Sequence, residues 1–374
     1  MDKEYKNLIQ KHTYSIPDLV IDSIDCVFEA CMTNLKTLER SSIKRIVITG
    51  CGYSYAAALA IKDYLAETIQ CPITVTPAIE VSRFSHECAG DYSGTLLIAI
   101  SNSGEVSRLN EAVLLYKKYH AQVIALTGNL KSPIANHADF KIDISSPSIG
   151  RGLPLRGYSM TILALICIAY CLINNTERAN IINNDINQLK QDMSKMSALL
   201  PYIDCKINEY LDLNPGIINF EFVGSGYERG AAFLGKIEML GQAGVMALDE
   251  DCEQWCHCNF FLADPEKIGT VLFCSKNSPA ASRSLEALSY MLHLGRPVCV
   301  VTDDIQITTP GNSLVIQHPS INKLNAGLLE MVVPSLLTGY YCDRIGETYS
   351  RGFRGQWDMF KTGKGTCESQ IIIN

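Results

Sequence analysis

The chain has no excess of positive charge. Its formal net charge is −7 over 374 residues, with 32 Lys and Arg against 39 Asp and Glu. No basic field is therefore available to hold nucleic acid. That balance still admits a small anionic ligand, because a local cradle of backbone N–H groups binds phosphate on an acidic protein. The N-terminal MDKEYKNLIQ lacks the apolar stretch of a secretory leader, which predicts a cytoplasmic protein. No apolar run reaches membrane length. The longest, YSMTILALICIAYCLI from Tyr158 to Ile173, has 16 residues against the ~20 that a span requires, and reads as a buried core helix. The paired CxxC spacing of structural zinc is also missing. Cys252, Cys256, His257 and Cys258 cluster locally, but adjacent His257 and Cys258 would struggle to face one tetrahedral ion together with Cys256. The cysteines number 15, odd and scattered; in a reducing compartment they read as small buried hydrophobes.

What is present is a repeating α/β rhythm. The length predicts two domains, each able to bury a core. Residues 1–40 read as helices, with Val27, Phe28, Cys31 and Leu35 at helical spacing. RIVITG, Arg45 to Gly50, is a β-branched strand that runs into the helix AAALAIKDYLAE. Further strands follow near Ile73–Thr76, at Thr95–Ser101, in AQVIALTG and in DFKIDIS, with a helix after the third. Strand and helix in alternation imply right-handed crossovers and a doubly wound parallel sheet, α/β in three layers. A polar helical stretch, Ile186 to Ile203, connects to a second start of the rhythm: INFEFVGSG, YERGAAFLGKIEML, TVLFCS, SRSLEALSYMLHLG and PVCVVT. VITGCGYSYAAALA matches FVGSGYERGAAFLG with the tyrosines aligned, which predicts duplication of one α/β unit.

The glycine turns carry the chemistry. In an open parallel sheet, ligands sit beyond the carboxyl ends of the strands. Gly50 and Gly52 end the first strand there, and the next helix starts at Ser54. The third strand ends in Ser101-Asn102-Ser103-Gly104, again at a helix start. Either stretch alone reads as a capped helix; two serine-bearing helix starts at adjacent strand ends read as a phosphate site. A dinucleotide site is the competing reading. GCGYSYAAA lacks the GxGxxG fingerprint, and no acidic residue ends the next strand, although Glu80 lies not far beyond it.

These residues resemble the tandem SIS (sugar isomerase) domain family. The carriers are GCGYS at 50–54, ISNSGE at 100–105, VIALTGNLKSPIANHAD at 123–139 and VGSG at 223–226. The resemblance covers about 45–360 and is strongest to the isomerase half of glucosamine-6-phosphate synthase and to fructosamine-6-phosphate deglycases, without the synthase's glutamine-hydrolysing domain. It implies N-terminal helices at 1–40, a first SIS domain at 41–180 that holds the sugar phosphate, a connecting helix at 181–212, a second SIS domain at 213–345 and a tail at 346–374. Carried over, Ser54, Ser101 and Ser103 bind phosphate, with Cys51, Gly52, Tyr53 and Asn102 near the sugar. Val106 stands where the family has a threonine, and Ser107 follows it as a substitute hydroxyl. Glu238 matches the family's base, and His257 its ring-opening histidine. His257 lacks the usual Gly-Pro after it and follows a few extra residues, DEDC. Glu253 is placed to orient His257 or to act as the acid. In the tail, Lys361 and Lys364 are the candidates for an imine, and Arg351 and Arg354 for holding an acidic group. The second domain has SKNSPAAS in place of a phosphate loop and is expected to lend Glu238 and His257 to a site near a dimer contact. The implied protein is a homodimer or higher homo-oligomer, with no metal or organic cofactor. It acts on a sugar phosphate or amino-sugar phosphate as an aldose–ketose isomerase, deglycase or deaminase. The alternative is a non-catalytic sugar-phosphate sensor.

Overall fold

The computed structural model describes residues 4–84, 91–150, 153–173, 178–358 and 366–373, the side chain of Phe353 excepted. The chain divides into two compact units. One comprises Leu19–Asn187 with Gly355–Asn374, the other Met1–Asp18 with Gln188–Arg354; they are called the first and second unit below.

In the first unit, β1 (Arg45–Gly50), β2 (Ile73–Pro77), β3 (Thr95–Ile100), β4 (Gln122–Thr127) and β5 (Phe140–Asp143) form one parallel sheet in the order β2-β1-β3-β4-β5. β3 is buried along its whole length, as a central parallel strand covered on both faces must be. Helices Ala78–Arg83, Ser107–Lys118 and Pro133–His137 cover one face through Val81, Leu109, Val113 and Ile134, packed on Val47, Leu97, Ala99 and Val123. On the other face helix Tyr53–Ile69 packs against helix Leu155–Leu172. The small residues Ala56, Ala57, Ala58 and Ala60 are wholly buried and let the two helices approach closely. Leu155–Leu172 is apolar enough to cross a membrane, but 94% of it is buried inside the protein. It is the core helix that its sequence predicted.

The second unit repeats the plan. Here β6 (Asn219–Val223), β7 (Ala247–Glu250), β8 (Ile268–Phe273), β9 (Val298–Thr302) and β10 (Leu314–Gln317) pair in the order β10-β9-β8-β6-β7, all parallel. Numbered within its own unit, each sheet reads 2-1-3-4-5, so both reverse direction between their first and third strands. β7 and β10 do not stand out in the sequence. Both are four-residue edge strands, and ALDE and LVIQ are too short for a pattern to emerge. The acidic stretch read as extra residues, DEDC, is accounted for by this finding. Asp249 and Glu250 end β7, and Asp251 caps helix Cys252–His257, its Oδ1 accepting from the N–H groups of Glu253 and Gln254 at 2.9 Å each.

Candidate functional site

The carboxyl ends of β1 and β3 lie side by side, with Gly50 opposite Ile100 in the register. The first turn of the following helix rides directly over Gly50, where an added Cβ would stand 2.8 Å from the Cβ of Ser54. Gly52 takes φ 55° and Gly104 φ 71°, conformations that side chains disfavour. At Gly104 a Cβ would also run into Ser132 Oγ. Both turns therefore depend on glycine. Cys51 and Gly52 are exposed, and Tyr53 and Ser54 half-buried. Ser101 is buried, and its Oγ accepts from the N–H of Gly104 at 3.0 Å. Ser103 is exposed, with its Oγ 3.5 Å from that of Ser101 and accepting from the N–H of Glu105 at 3.3 Å. The exposed Asn102 anchors its turn to β4, its carbonyl accepting from Gly128 N–H at 2.9 Å. Cys51, Gly52, Tyr53 and Ser54 thus follow one strand end and Ser101, Asn102 and Ser103 its neighbour, where hydroxyls and backbone N–H groups suit a small anion.

Ser107 is placed differently. It is buried, and its N–H donates to the carbonyl of Thr366 at 2.7 Å. The tail runs along this helix. Arg83 and Arg108 both pair with buried Glu111 and both donate to the carbonyl of Gln370, and Ile372 N–H donates to Glu111 Oε2 at 2.7 Å. Burial pushes the Glu111 carboxyl up, but the Arg83 and Ile372 hydrogen bonds and Arg108 hold it below the usual carboxylate range. Nothing in the sequence marks this anchor except the i, i+3 spacing of Arg108 and Glu111.

In the second unit Glu238 ends helix Arg229–Glu238, is buried, and precedes a π-helical turn, Met239–Ala243. Burial of the Cys342 thiol itself, followed by the charge of Glu238, pushes that thiol up to about 12. Arg351 and Arg354 pair with Glu347 of their own turn, and Ser350 N–H donates to Gln242 Oε1 at 2.7 Å, tying that turn to the π segment. Lys361 and Lys364 lie outside the described residues.

His257 and Glu253 do meet: His257 Nε2 is 3.0 Å from Glu253 Oε1, with side chains 67% and 54% exposed. Arg283 donates to both oxygens of Glu253 at 2.7 and 3.1 Å. The Arg283 hydrogen bond, followed by that of His257, holds the Glu253 carboxyl below the usual range, which suits an orienting carboxylate better than a proton donor. A buried network that sequence reading missed holds this segment from below. Glu221 Oε2 accepts from Arg296 at 2.6 Å and from Trp255 Nε1 at 2.7 Å, and its Oε1 accepts from Asn259 at 2.6 Å. Trp255 and Asn259 flank His257 in the chain, so the network sets where the imidazole emerges.

Glu238 and His257 are not brought together within the unit. Phe220 and Phe222 of β6 point to one face, where Phe222 meets Gly235 and Phe220 stacks edge-on with Tyr341. Helices Arg229–Glu238 and Val332–Ile345 lie on that face. Glu221 and Val223 point to the other, against Trp255. A strand alternates its side chains between faces, so the helices bearing Glu238 and His257 cover opposite sides of one sheet. The cysteine cluster does not converge either. Cys252 is buried, its Sγ accepting a hydrogen bond from Ser225 Oγ at 3.0 Å, while Cys258 is exposed.

Residues 41–166 match the SIS domain family. The glutamine–fructose-6-phosphate aminotransferase [isomerizing] of Methanosarcina mazei is 24% identical over 324 residues, 82% of this chain and 49% of its own length. The chain spans between about a fifth and a half of the length of the curated relatives it matches. Among solved structures, the C-terminal domain of glucosamine-fructose-6-phosphate aminotransferase from Francisella tularensis aligns with a TM-score of 0.78 at 17% identity, covering 92% of this chain and 98% of that one. The tagatose-6-phosphate ketose/aldose isomerase of Escherichia coli aligns at 0.72 and 16%, covering 91% and 95%. Residues 41–166 form a SIS domain, and the fold of the chain is similar to that of the aminotransferase's C-terminal domain and of the tagatose-6-phosphate isomerase.

Proposed function

We propose that the protein is an enzyme acting on a sugar phosphate or amino-sugar phosphate, moving a proton between C1 and C2 by general acid/base catalysis. The class is aldose–ketose isomerisation, or a deglycase or deaminase reaction that starts with the same proton shift. The observation that carries this reading is the crevice between β1 and β3. Ser103 and Ser54 line it, with the Gly52 and Gly104 turns bringing backbone close to a ligand, and an oxyanion is the ligand such a crevice suits. Glu238, which is buried, takes the role of base, and His257, oriented by Glu253, that of ring opening. Because these two cover opposite faces of one sheet, the reading has them serve different copies of the site, with one supplied by a partner chain in a homodimer. The same separation favours a second reading, a sugar-phosphate sensor without catalysis.

A thermal-shift screen of sugar phosphates against the unphosphorylated sugars, on wild type and Ser103→Ala, tests the phosphate site. A ligand that binds only the native state raises the melting temperature. Shifts limited to the phosphates and lost in Ser103→Ala support the site; shifts with neutral sugars, or none, refute it. Isomerisation followed by C2 proton exchange then separates the readings. Loss of exchange in Glu238→Gln with binding retained supports an enzyme, whereas no exchange in wild type leaves the sensor.

A further inference from the structure

The internal repeat sets one position of the first unit against one of the second. Gly50-Cys51-Gly52-Tyr53-Ser54 aligns with Gly224-Ser225-Gly226-Tyr227-Glu228, so Ser54 and Glu228 are equivalent. The backbones agree. Gly52 and Gly226 take φ 55° and 58°, and a Cβ on Gly50 or Gly224 would come within 2.8 Å of the following helical turn in each case.

At this position the units part. Ser54 is half-buried, in a crevice whose rim residues Asn102 and Ser103 are exposed. Glu228 is fully buried, and its carboxylate bridges the two strand-end turns of the second unit. Oε2 accepts from the N–H of Ser225, after β6, at 3.3 Å; Oε1 accepts from the N–H of Ser275, after β8, at 2.8 Å. The first of these bonds belongs to an ordinary capping box with Ser225. The second leaves the helix altogether and reaches the neighbouring strand's turn. Backbone N–H groups at these two places are the donors that a doubly wound sheet offers to an anion. A second buried carboxylate, Glu330, accepts from Ser275 Oγ at 3.4 Å. Burial raises both carboxyls above the usual range, and the charge of Glu228 adds to the rise at Glu330. The pair therefore favours holding one proton, and the two N–H donors place the negative charge on Glu228.

We infer that the crevice of the second unit is an anion site filled by the chain's own Glu228 carboxylate, so that one residue restricts the protein to a single site for a phosphate-type ligand. Only the count of one rests on the proposed function; the filled crevice stands on its own hydrogen bonds.

The test is Glu228→Ser, which puts the first unit's residue into the second. The probe is inorganic phosphate, titrated calorimetrically into the full chain, with chloride at equal ionic strength as the control. Wild type is expected to bind one phosphate per chain and Glu228→Ser two; adding Ser103→Ala to Glu228→Ser returns the count to one. A folded Glu228→Ser protein with wild-type stoichiometry overturns the inference. If wild type binds none and Glu228→Ser binds one, the inference stands and the phosphate reading of the first crevice falls. If Glu228→Ser folds poorly in chloride, its melting temperature becomes the readout. A rise of several degrees in phosphate, beyond that of wild type, supports a vacated anion site, and an equal response in the two proteins overturns it.

Discussion

The two units share a strand order, a Gly-x-Gly turn and a helix start over each turn, yet their crevices are finished in opposite ways. Around β1 and β3, Ser54 is half-buried and Ser103 exposed. Around β6 and β8 the same geometry is closed by Glu228, with Glu330 and Asp303 about it, and Asp303 accepts from the N–H groups of Lys276 and Ile321 at 2.7 and 2.9 Å. Parallel strands and crossovers place N–H donors at the switch point whatever the side chains are. The side chain at one position then decides between an interaction with a ligand and an interaction with the protein itself. The tertiary role of each polar group should follow: changes in the second crevice act on stability, and changes in the first act on affinity.

The largest effect is expected in the second unit, at the buried Arg296–Glu221 pair. Glu221→Ala strands the Arg296 guanidinium in the core and should lower stability by about 3–5 kcal/mol, a fall in melting temperature of about 10 °C by calorimetry. Replacing both partners with methionine should recover most of that loss, while phosphate affinity in the folded protein stays unchanged.

Next comes His318, buried after β10, whose ring nitrogens have no hydrogen-bond partner among the described residues. Burial depresses its pKa to about 4. The unfolded chain takes the proton near pH 6.5 and the folded one does not, so this contribution is complete above about pH 6.5 and is lost as pH falls towards 4, by about 3 kcal/mol. Urea midpoints across that range should flatten in His318→Leu. Glu228 and Glu330 give the opposite slope. Their folded pKa values are raised, so their contribution is greatest at acid pH and declines as pH rises above the unfolded carboxyl value. In Glu228→Gln that decline should shrink.

The first unit should respond less in stability and more in binding. Gly104→Ala, which adds both a positive-φ penalty and a clash with Ser132, should cost about 1–3 kcal/mol and abolish phosphate binding. Gly52→Ala has open space around it, but φ 55° with ψ −121° lies outside the left-handed helical region, so backbone strain alone should cost about 1–2 kcal/mol. The smallest change in stability belongs to Ser103→Ala, within about 0.5 kcal/mol because the residue is exposed, with a loss of phosphate affinity of about a hundredfold, enough to leave the site empty in the titration. A melting-temperature drop at Ser103 as large as that at Glu221 would break the contrast between the units.

Much of this was legible in the chain. Apolar strands separated by helical spacing announce a doubly wound sheet, because a parallel strand buried on both faces has to be apolar throughout, as in TLLIAI. The Gly-x-Gly turns and the serines after β3 could be read as well, since glycine adopts φ 55° or 71° with the least strain. The repeat was visible because both copies need the same turn. Edge strands β7 and β10 were not, being four residues each with too little periodicity to register.

Partnership between distant residues was decided only by tertiary structure. Glu228 reads as a residue in the first turn of a helix until β8 brings the N–H of Ser275 to its carboxylate, 47 residues on. Glu221 and Arg296 lie 75 residues apart, and nothing near either one signals a buried ion pair. Glu238 and His257, 19 positions apart in the numbering, are sent to opposite faces because strand β7 and its crossover lie between their helices. Local sequence determines turns, caps and periodicity, since these depend on neighbours along the chain. Which buried charge meets which donor depends on the register of strands far apart in sequence, and that is settled only when the sheet assembles.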